Sequence, residues 1–316
     1  MERLSVKLVQ DPGRLIEDFC EDCKLRGMTI ESVRRYKSSL LIFAGFLLNR
    51  GVDPVNADTN VLKDFLQYIK YERSVKHKTI ENYFSALSSF YDYLVFERLA
   101  SANMVLPFRK RYLRQYKDGY EDPERRLLSL EEMCRLVGSI MEPRDKAIVV
   151  LFAKTGIRRG ELLKLDVDDI RWEDYSITLK PTPKRSNRVA FFDDECALAL
   201  RRWLRVREKL NPKTKALFVS YQSLNRLDRN GLYTAIVKYA KCLGYHSPES
   251  PRLEDHFGPH CFRHWFTTWL LRNGMPREYV KELRGDRRGE AIDIYHHIDR
   301  QELRKAYLAY IPKLGI

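Results

Sequence analysis

The chain has 316 residues, of which 44% are hydrophobic, and a formal net charge of +14 at pH 7. This length allows two domains with packed cores, and no apolar run reaches the length of a membrane span. No signal peptide follows Met1, so we expect a cytoplasmic, nucleoid-associated protein. The basic surplus points to nucleic acid, because neutralising phosphates releases counterions.

The cysteine pattern favours free thiols over a disulfide framework, as expected for a cytosolic protein. Cys20 and Cys23 have the spacing of a metal-binding pair, but no second pair follows them. Both also lie in a predicted helix, which disfavours a zinc site.

The first domain is predicted to be helical. Residues 1–12 form a leader, and residues 13–103 form four helices, at 14–26, 30–50, 59–72 and 79–97. Thr29 and Thr79 are the expected N-caps of two of them.

Four basic residues of this domain are candidates for DNA binding. Lys76 and Lys78 precede the last helix, where a phosphate would meet a positive helix N-terminus, although a solvated loop is an equal alternative. Arg34 and Arg35 could form a second contact row on their helix.

The second domain is predicted to be rich in helices, with a small three-stranded sheet. A basic linker, residues 104–126, leads into it, and residues 127–316 form the domain and its C-terminal tail. Ser129 caps its first helix. The remaining predicted elements are a helix at 143–154, strands at 166–171, 176–179 and 188–192, and helices at 193–209, 228–243, 259–273 and 300–310.

Four short motifs of this domain stand out. His260 and Arg263 are three residues apart on a helix, so an imidazole and a guanidinium can converge on one small anion. Thr155–Leu162 carries a second arginine, Arg158, and Glu161. Gly285-Asp286 forms a break, and Tyr295 follows nine residues after Asp286.

In this order, the four motifs resemble those of the tyrosine recombinase (phage integrase) family. The resemblance implies an N-terminal four-helix, SAM-like core-binding domain and a mainly α catalytic domain. The family has histidine or tryptophan where this chain has Asp286. Its lysine lies in the turn between the second and third strands, where Lys184 fits best and Lys180 is the alternative.

The resemblance assigns a role to each site residue. Arg158 and Arg263 would bind the phosphate with forked donors, and Tyr295 would attack it to leave a 3′-phosphotyrosyl link. Lys184 would protonate the leaving 5′ oxygen, and His260 would assist proton movement or hold a phosphate oxygen. Glu161 would orient an arginine, and Asp286 would orient Arg263 or Arg158 or cap a helix. If the last helix is shifted, the rival nucleophiles are Tyr307 and Tyr310.

We therefore expect a site-specific recombinase that acts on double-stranded DNA without metal, ATP or another cofactor. Four protomers would assemble on paired sites, and accessory DNA-bending factors are allowed. A type IB topoisomerase and a catalytically silent DNA-binding regulator remain alternatives. Metal hydrolysis by His256, His260 and His264 is disfavoured, since Gly258-Pro259 interrupts any helix between the first two histidines and the arginines repel a cation. The sequence leaves open whether cleavage is in cis or in trans and whether the tail docks on its own domain.

Overall fold

The computed structural model describes residues 11–113, 126–181, 187–250, 252–286 and 298–316. The chain divides into two compact units, Met1–Tyr120 and Glu121–Ile316. Among the helices of the described ranges, none is long and apolar enough to cross a membrane. Helix predominates in both units, as the sequence predicts.

Local capping determines where the N-terminal helices begin. Asp11 accepts a hydrogen bond from the Gly13 amide, so the first helix starts at Pro12, just inside the predicted leader. Thr29 caps the second helix as predicted. The fourth helix starts two residues before the predicted Thr79, at His77. The four predicted helices are α1 (Pro12–Leu25), α2 (Ile30–Leu48), α3 (Thr59–Gln67), which continues into a π-helical turn at Tyr68–Glu72, and α4 (His77–Phe96).

The prediction that residues 104–126 form a linker is wrong for the first part of this range. Residues Val105–Tyr112 form a further helix, α5, whose first amide is capped by the Asn103 side chain. Phe108 is buried, and its ring stacks on that of Phe84 in α4, with centroids 5.2 Å apart. Val105 and Phe108, three residues apart, give this basic segment an apolar face. The folded N-terminal unit therefore extends through the first part of the predicted linker.

The C-terminal unit packs helices around a small antiparallel sheet. Strands β1 (Ile170–Arg171), β2 (Ser176–Thr178) and β3 (Val189–Phe191) lie in the order β1-β2-β3, with Ile177 paired to Ala190. The first strand is shorter than predicted because Val167–Asp169 forms a 3₁₀ turn. The helices are α6 (Leu130–Ser139), α7 (Pro143–Thr155), α8 (Arg159–Leu163), α9 (Asp194–Leu210), α10 (Arg229–Cys242), α11 (Pro259–Arg272), α12 (Arg277–Arg284) and α13 (Arg300–Tyr310).

The C-terminal tail packs on its own unit. Leu314 is 3% exposed and belongs to the main core cluster. The carboxylate of Glu195, on α9, accepts hydrogen bonds from the backbone amides of Leu314, Gly315 and Ile316. The tail is thus held by backbone hydrogen bonds as well as by apolar burial.

A fully buried lysine completes this attachment. Lys154 Nζ, at the end of α7, donates to Asp193 Oδ2 at 2.7 Å, Glu195 Oε2 at 2.5 Å and the carbonyl of Pro312 at 2.6 Å. Burial alone would raise the pKa of Glu195, but the hydrogen bonds from Lys154 and from the tail amides lower it overall. The stabilisation from Glu195 is therefore present at neutral pH and is lost as the pH falls through this depressed pKa.

Replacing Lys154 by methionine should lower the free energy of unfolding by about 3–5 kcal/mol, because buried carboxylates lose their counter-charge. The matched control is Lys146→Met, on the same helix, where burial lowers the pKa of the ammonium and so disfavours its charge. That change should cost less than about 1 kcal/mol. Urea unfolding of both variants measures the difference, and equal losses would contradict a specific role for Lys154.

Candidate active site

Arg263 is firmly held within the predicted site. It lies on α11, whose N-cap is Gly258, and its side chain is only 5% exposed. Its Nη1 donates to the carbonyl of Gly156 at 3.0 Å, and its Nη2 donates to the carbonyl of Arg284, also at 3.0 Å. These two carbonyls come from separate segments of the chain, and together they fix the orientation of the guanidinium.

Gly156 makes this arrangement possible. It ends α7 in the left-handed conformation, with φ of +57°, and a Cβ there would lie 2.4 Å from Cδ1 of Phe266. Only glycine fits both restrictions. The turn lets α11 pack closely on the end of α7, which brings Arg263 to the segment that carries Arg158.

Arg158 stands at the start of the short helix α8 and is oriented by Glu161. Glu161 Oε2 accepts from the backbone amide of Arg158 at 2.7 Å, and Oε1 accepts from its Nη1 at 3.1 Å. The Glu161 side chain is 3% exposed, whereas that of Arg158 is 30% exposed. The carboxylate therefore lies inside the fold and leaves the guanidinium within reach of a ligand.

Asp286 lies where the two arginines converge. Its Oδ1 accepts from Arg263 Nη2 at 2.8 Å and lies 3.7 Å from Arg158 Nη2. Its Oδ2 lies 3.0 Å from Arg284 Nε, at ion-pair distance but without the alignment of a hydrogen bond. One carboxylate oxygen is thus shared by the two predicted phosphate-binding guanidiniums.

A cavity of 570 Å³ opens beside these residues. Arg158 and Arg263 line it, together with the exposed His260 of α11. None of its described lining residues is acidic, and seven are arginines or histidines, namely Arg158, Arg159, Arg229, Arg263, His246, His256 and His260. The cavity is therefore suited to an anion.

The predicted nucleophile and the preferred general acid, Tyr295 and Lys184, lie outside the described residues. Their alternatives are within them. Tyr307 is completely buried, and its hydroxyl donates to the carbonyl of Lys154 at 2.9 Å, so it cannot reach a DNA strand. Lys180 Nζ binds Asp169 and Asp166 at 2.8 and 3.0 Å, which raises its pKa and makes it a poorer acid.

The predicted DNA-binding residues of the N-terminal unit are all exposed. Lys76 is the N-cap residue of α4, and Lys78 pairs with Glu81 at 2.7 Å. Arg34 and Arg35 lie on α2.

In the same unit, burial raises the pKa of Cys23 to about 11, which favours a protonated thiol over the thiolate that binds zinc.

Comparison with protein families gives a match in each unit. Residues 126–302 match the phage integrase family, and residues 15–100 match the phage integrase N-terminal SAM-like domain. The chain belongs to the phage integrase family. Like the relatives that it resembles, this integrase-family protein is a tyrosine recombinase, an enzyme of DNA recombination.

The matches to its sequence relatives cover most of this chain and most of each relative. Tyrosine recombinase XerC of Oceanobacillus iheyensis is 28% identical over 293 residues, which cover 89% of this integrase-family chain and 90% of the relative. Tyrosine recombinase XerC of Thermodesulfovibrio yellowstonii is 28% identical over 306 residues, which cover 92% and 94%.

Solved structures share the fold of this integrase-family protein. The Tn1549 transposon integrase in complex with circular intermediate DNA is 16% identical with a TM-score of 0.67, over 92% of this chain and 98% of that one. XerH recombinase bound to a palindromic difH substrate, in a post-cleavage complex, is 22% identical with a TM-score of 0.64, over 93% and 83%.

The cavity wall of this family member includes Arg229, Tyr233 and His246, which were not among the predicted site residues. Arg229 and Tyr233 are four residues apart on α10, so the helix period places them on one face. That spacing was the available signal. Nothing near His246 in the sequence marks it, because its neighbours in the fold come from other segments of the chain.

Proposed function

We propose that this integrase-family protein cleaves and rejoins DNA strands at specific sites through a 3′-phosphotyrosyl intermediate on Tyr295. The observation that carries the proposal is the convergence of Arg158 and Arg263 on a single oxygen of Asp286, at 3.7 and 2.8 Å. Two guanidiniums that reach one carboxylate oxygen can also reach the oxygens of one phosphate.

Each side chain then has a task in the cleavage step. The Tyr295 oxygen attacks phosphorus, and the bond to the 5′ oxygen breaks. Arg158 and Arg263 stabilise the added negative charge of the five-coordinate transition state. Lys184 gives a proton to the leaving 5′ oxygen, and His260 takes part in proton transfer at the tyrosine or holds a phosphate oxygen.

Rejoining reverses these steps with another strand. A 5′-hydroxyl attacks the phosphotyrosyl link, so the energy of the phosphodiester is kept and ATP is not needed. The arginines and Lys184 bring the positive charge that a metal ion would otherwise supply.

Asp286 acts through the arginines in this proposal. An ionised carboxylate cannot donate a hydrogen bond to a phosphate and would be repelled by a phosphorane. The contacts of Asp286 with Arg263, Arg158 and Arg284 support a positioning role instead.

Trapping the intermediate tests the proposal directly. The substrate is nicked, so that the strand piece with the 5′-hydroxyl is lost after cleavage. We expect a covalent protein–DNA adduct on this substrate, formed at full yield in excess EDTA. The adduct is detected after denaturation in detergent. Loss of cleavage in EDTA that one divalent ion restores would overturn the proposed chemistry. A plasmid with two sites then separates recombination from simple relaxation, the activity of a topoisomerase.

The assignment of the general acid has its own test. Lys184→Ala should cleave slowly on ordinary DNA and recover on a substrate with sulfur as the 5′ leaving atom, because a thiolate leaves without a proton. Lys180→Ala is the matched control, since Asp166 and Asp169 already hold that ammonium. Recovery of Lys180→Ala alone would move the general acid to Lys180.

Double-stranded DNA is the proposed substrate, and both solved relatives described above are DNA complexes. Lys76, Lys78, Arg34 and Arg35 are proposed to bind the backbone through their exposed charges. Exchange of strands between two sites needs four active tyrosines, so we propose a tetramer on paired sites.

A further inference from the structure

The cavity is larger than one phosphate group requires. Its 570 Å³ compares with roughly 30 Å³ for one water in the liquid. It extends from Arg158 and Arg263 to α10, where Arg229 and Tyr233 form part of its wall. The part beside α10 therefore has room for a further group of the same ligand.

Tyr233 lies beside the start of α11 at this end of the cavity. Its ring lies against the N-cap of α11, where a Cβ on Gly258 would be 3.7 Å from Tyr233 Cε2. Gly258 is two residues before His260, so Tyr233 packs directly beside the segment that presents the predicted histidine.

The hydrogen bonds of His246 determine what the Tyr233 hydroxyl can do. The backbone amide of Phe257 donates to His246 Nδ1 at 3.2 Å, so the proton of the neutral ring is on Nε2. Nε2 lies 3.4 Å from the Tyr233 oxygen. The ring then donates to Tyr233, whose own proton is available to an acceptor in the cavity.

The surroundings of His246 keep it neutral. The side chain is buried, and this burial, together with His256 and the charge of Lys241, lowers its pKa. At neutral pH His246 therefore donates a hydrogen bond to the Tyr233 oxygen, and the Tyr233 hydroxyl donates its own proton into the cavity.

We propose that Arg229 and Tyr233 bind a second DNA phosphate, next to the one held by Arg158 and Arg263. Arg229 supplies charge from the first turn of α10, and Tyr233 supplies a directed hydroxyl one turn later. The second contact fixes the strand along its length, so that the scissile phosphate and no neighbour lies between the two catalytic arginines. This inference rests on the proposed function for the identity of the strand.

The first test measures binding to a plain duplex as a function of KCl concentration. Arg229→Gln should reduce the slope of log affinity against log salt by about 0.9, the value for one lost phosphate contact. Lys209→Gln, an equal charge change at an exposed position of α9, should leave the slope unchanged. Equal slopes for the two variants would overturn the proposal.

The second test identifies the phosphate. In a duplex whose cleavage position has been mapped from adducts, single phosphates are replaced by neutral methylphosphonates. Arg229→Gln should weaken binding to unmodified DNA at least about tenfold. When one particular neighbour of the scissile phosphate is neutral, the variant and the unaltered protein should bind equally well. Tyr233→Phe should show the same coupling, whereas Tyr239→Phe, whose hydroxyl donates to Asp145, should not.

The outcomes separate this inference from the proposed function. Coupling at the scissile phosphate alone, or no coupling at any phosphate, would overturn the second site even if adducts form normally. Failure of the unaltered protein to form adducts would count against the proposed function, and the salt dependence would still decide whether Arg229 binds a phosphate.

Discussion

Tyr295→Phe is expected to form no covalent adduct with DNA while it binds DNA as tightly as the unaltered protein. The change removes the one oxygen that the proposed mechanism uses as nucleophile and leaves the ring in place. The charges that bind the phosphate backbone are untouched, so affinity should not change. Adduct yield on a nicked substrate, with affinity measured on the same duplex, tests both parts.

Two further tyrosines serve as controls. Tyr310→Phe should form adducts at the normal rate. Tyr307→Phe should also form them, with some loss of stability, because it removes a buried hydrogen bond to the carbonyl of Lys154. An adduct that persists in Tyr295→Phe and disappears in Tyr310→Phe would show that the nucleophile is on the last helix.

Arg263→Ala should slow single-turnover cleavage on the order of a hundredfold to a thousandfold, as expected when a direct donor to the transition state is lost. The residue also donates to two carbonyls, so the variant should be checked for folding by thermal denaturation. Arg272→Ala, an exposed arginine on the same helix, is the matched control and should cleave normally.

Asp286 distinguishes a positioning role from a direct one. Asp286→Asn keeps an oxygen that can accept from Arg263 and should be mild, whereas Asp286→Ala removes that acceptor and should be slower. Both should remain faster than Arg263→Ala. If both variants fall as far as Arg263→Ala, the carboxylate acts directly and the positioning account is wrong.

The helices were predictable because their signals are local. Thr29, Ser129 and Pro259 mark starts that the structure confirms, and apolar residues at helical spacing mark the buried faces. The helix α5 was missed because Arg109, Lys110 and Arg111 dominate its composition and hide its short apolar face.

The site was predictable as a set of motifs and unpredictable as a set of contacts. The motifs name Arg158, Arg263 and Asp286, but the carbonyl that holds Arg263 is 107 positions away in the chain. Lys154 stands directly before the Thr155-Gly156 motif, and a lysine is almost never fully buried unless it is paired. It is instead fully buried, because its carboxylate partners come from a distant segment.

The attachment of the tail bears on how this protein is made. The helices that pack on one another in the N-terminal unit, such as α1 on α2 and α2 on α4, all end before Tyr120, so this unit can fold while the rest of the chain is still being synthesised. In the C-terminal unit, Lys154 meets the carbonyl of Pro312 across 158 positions, and Leu314 fills the main core. The C-terminal unit therefore closes only after translation has passed residue 314, and a nascent chain gains its folded N-terminal helices before it gains a finished candidate active site.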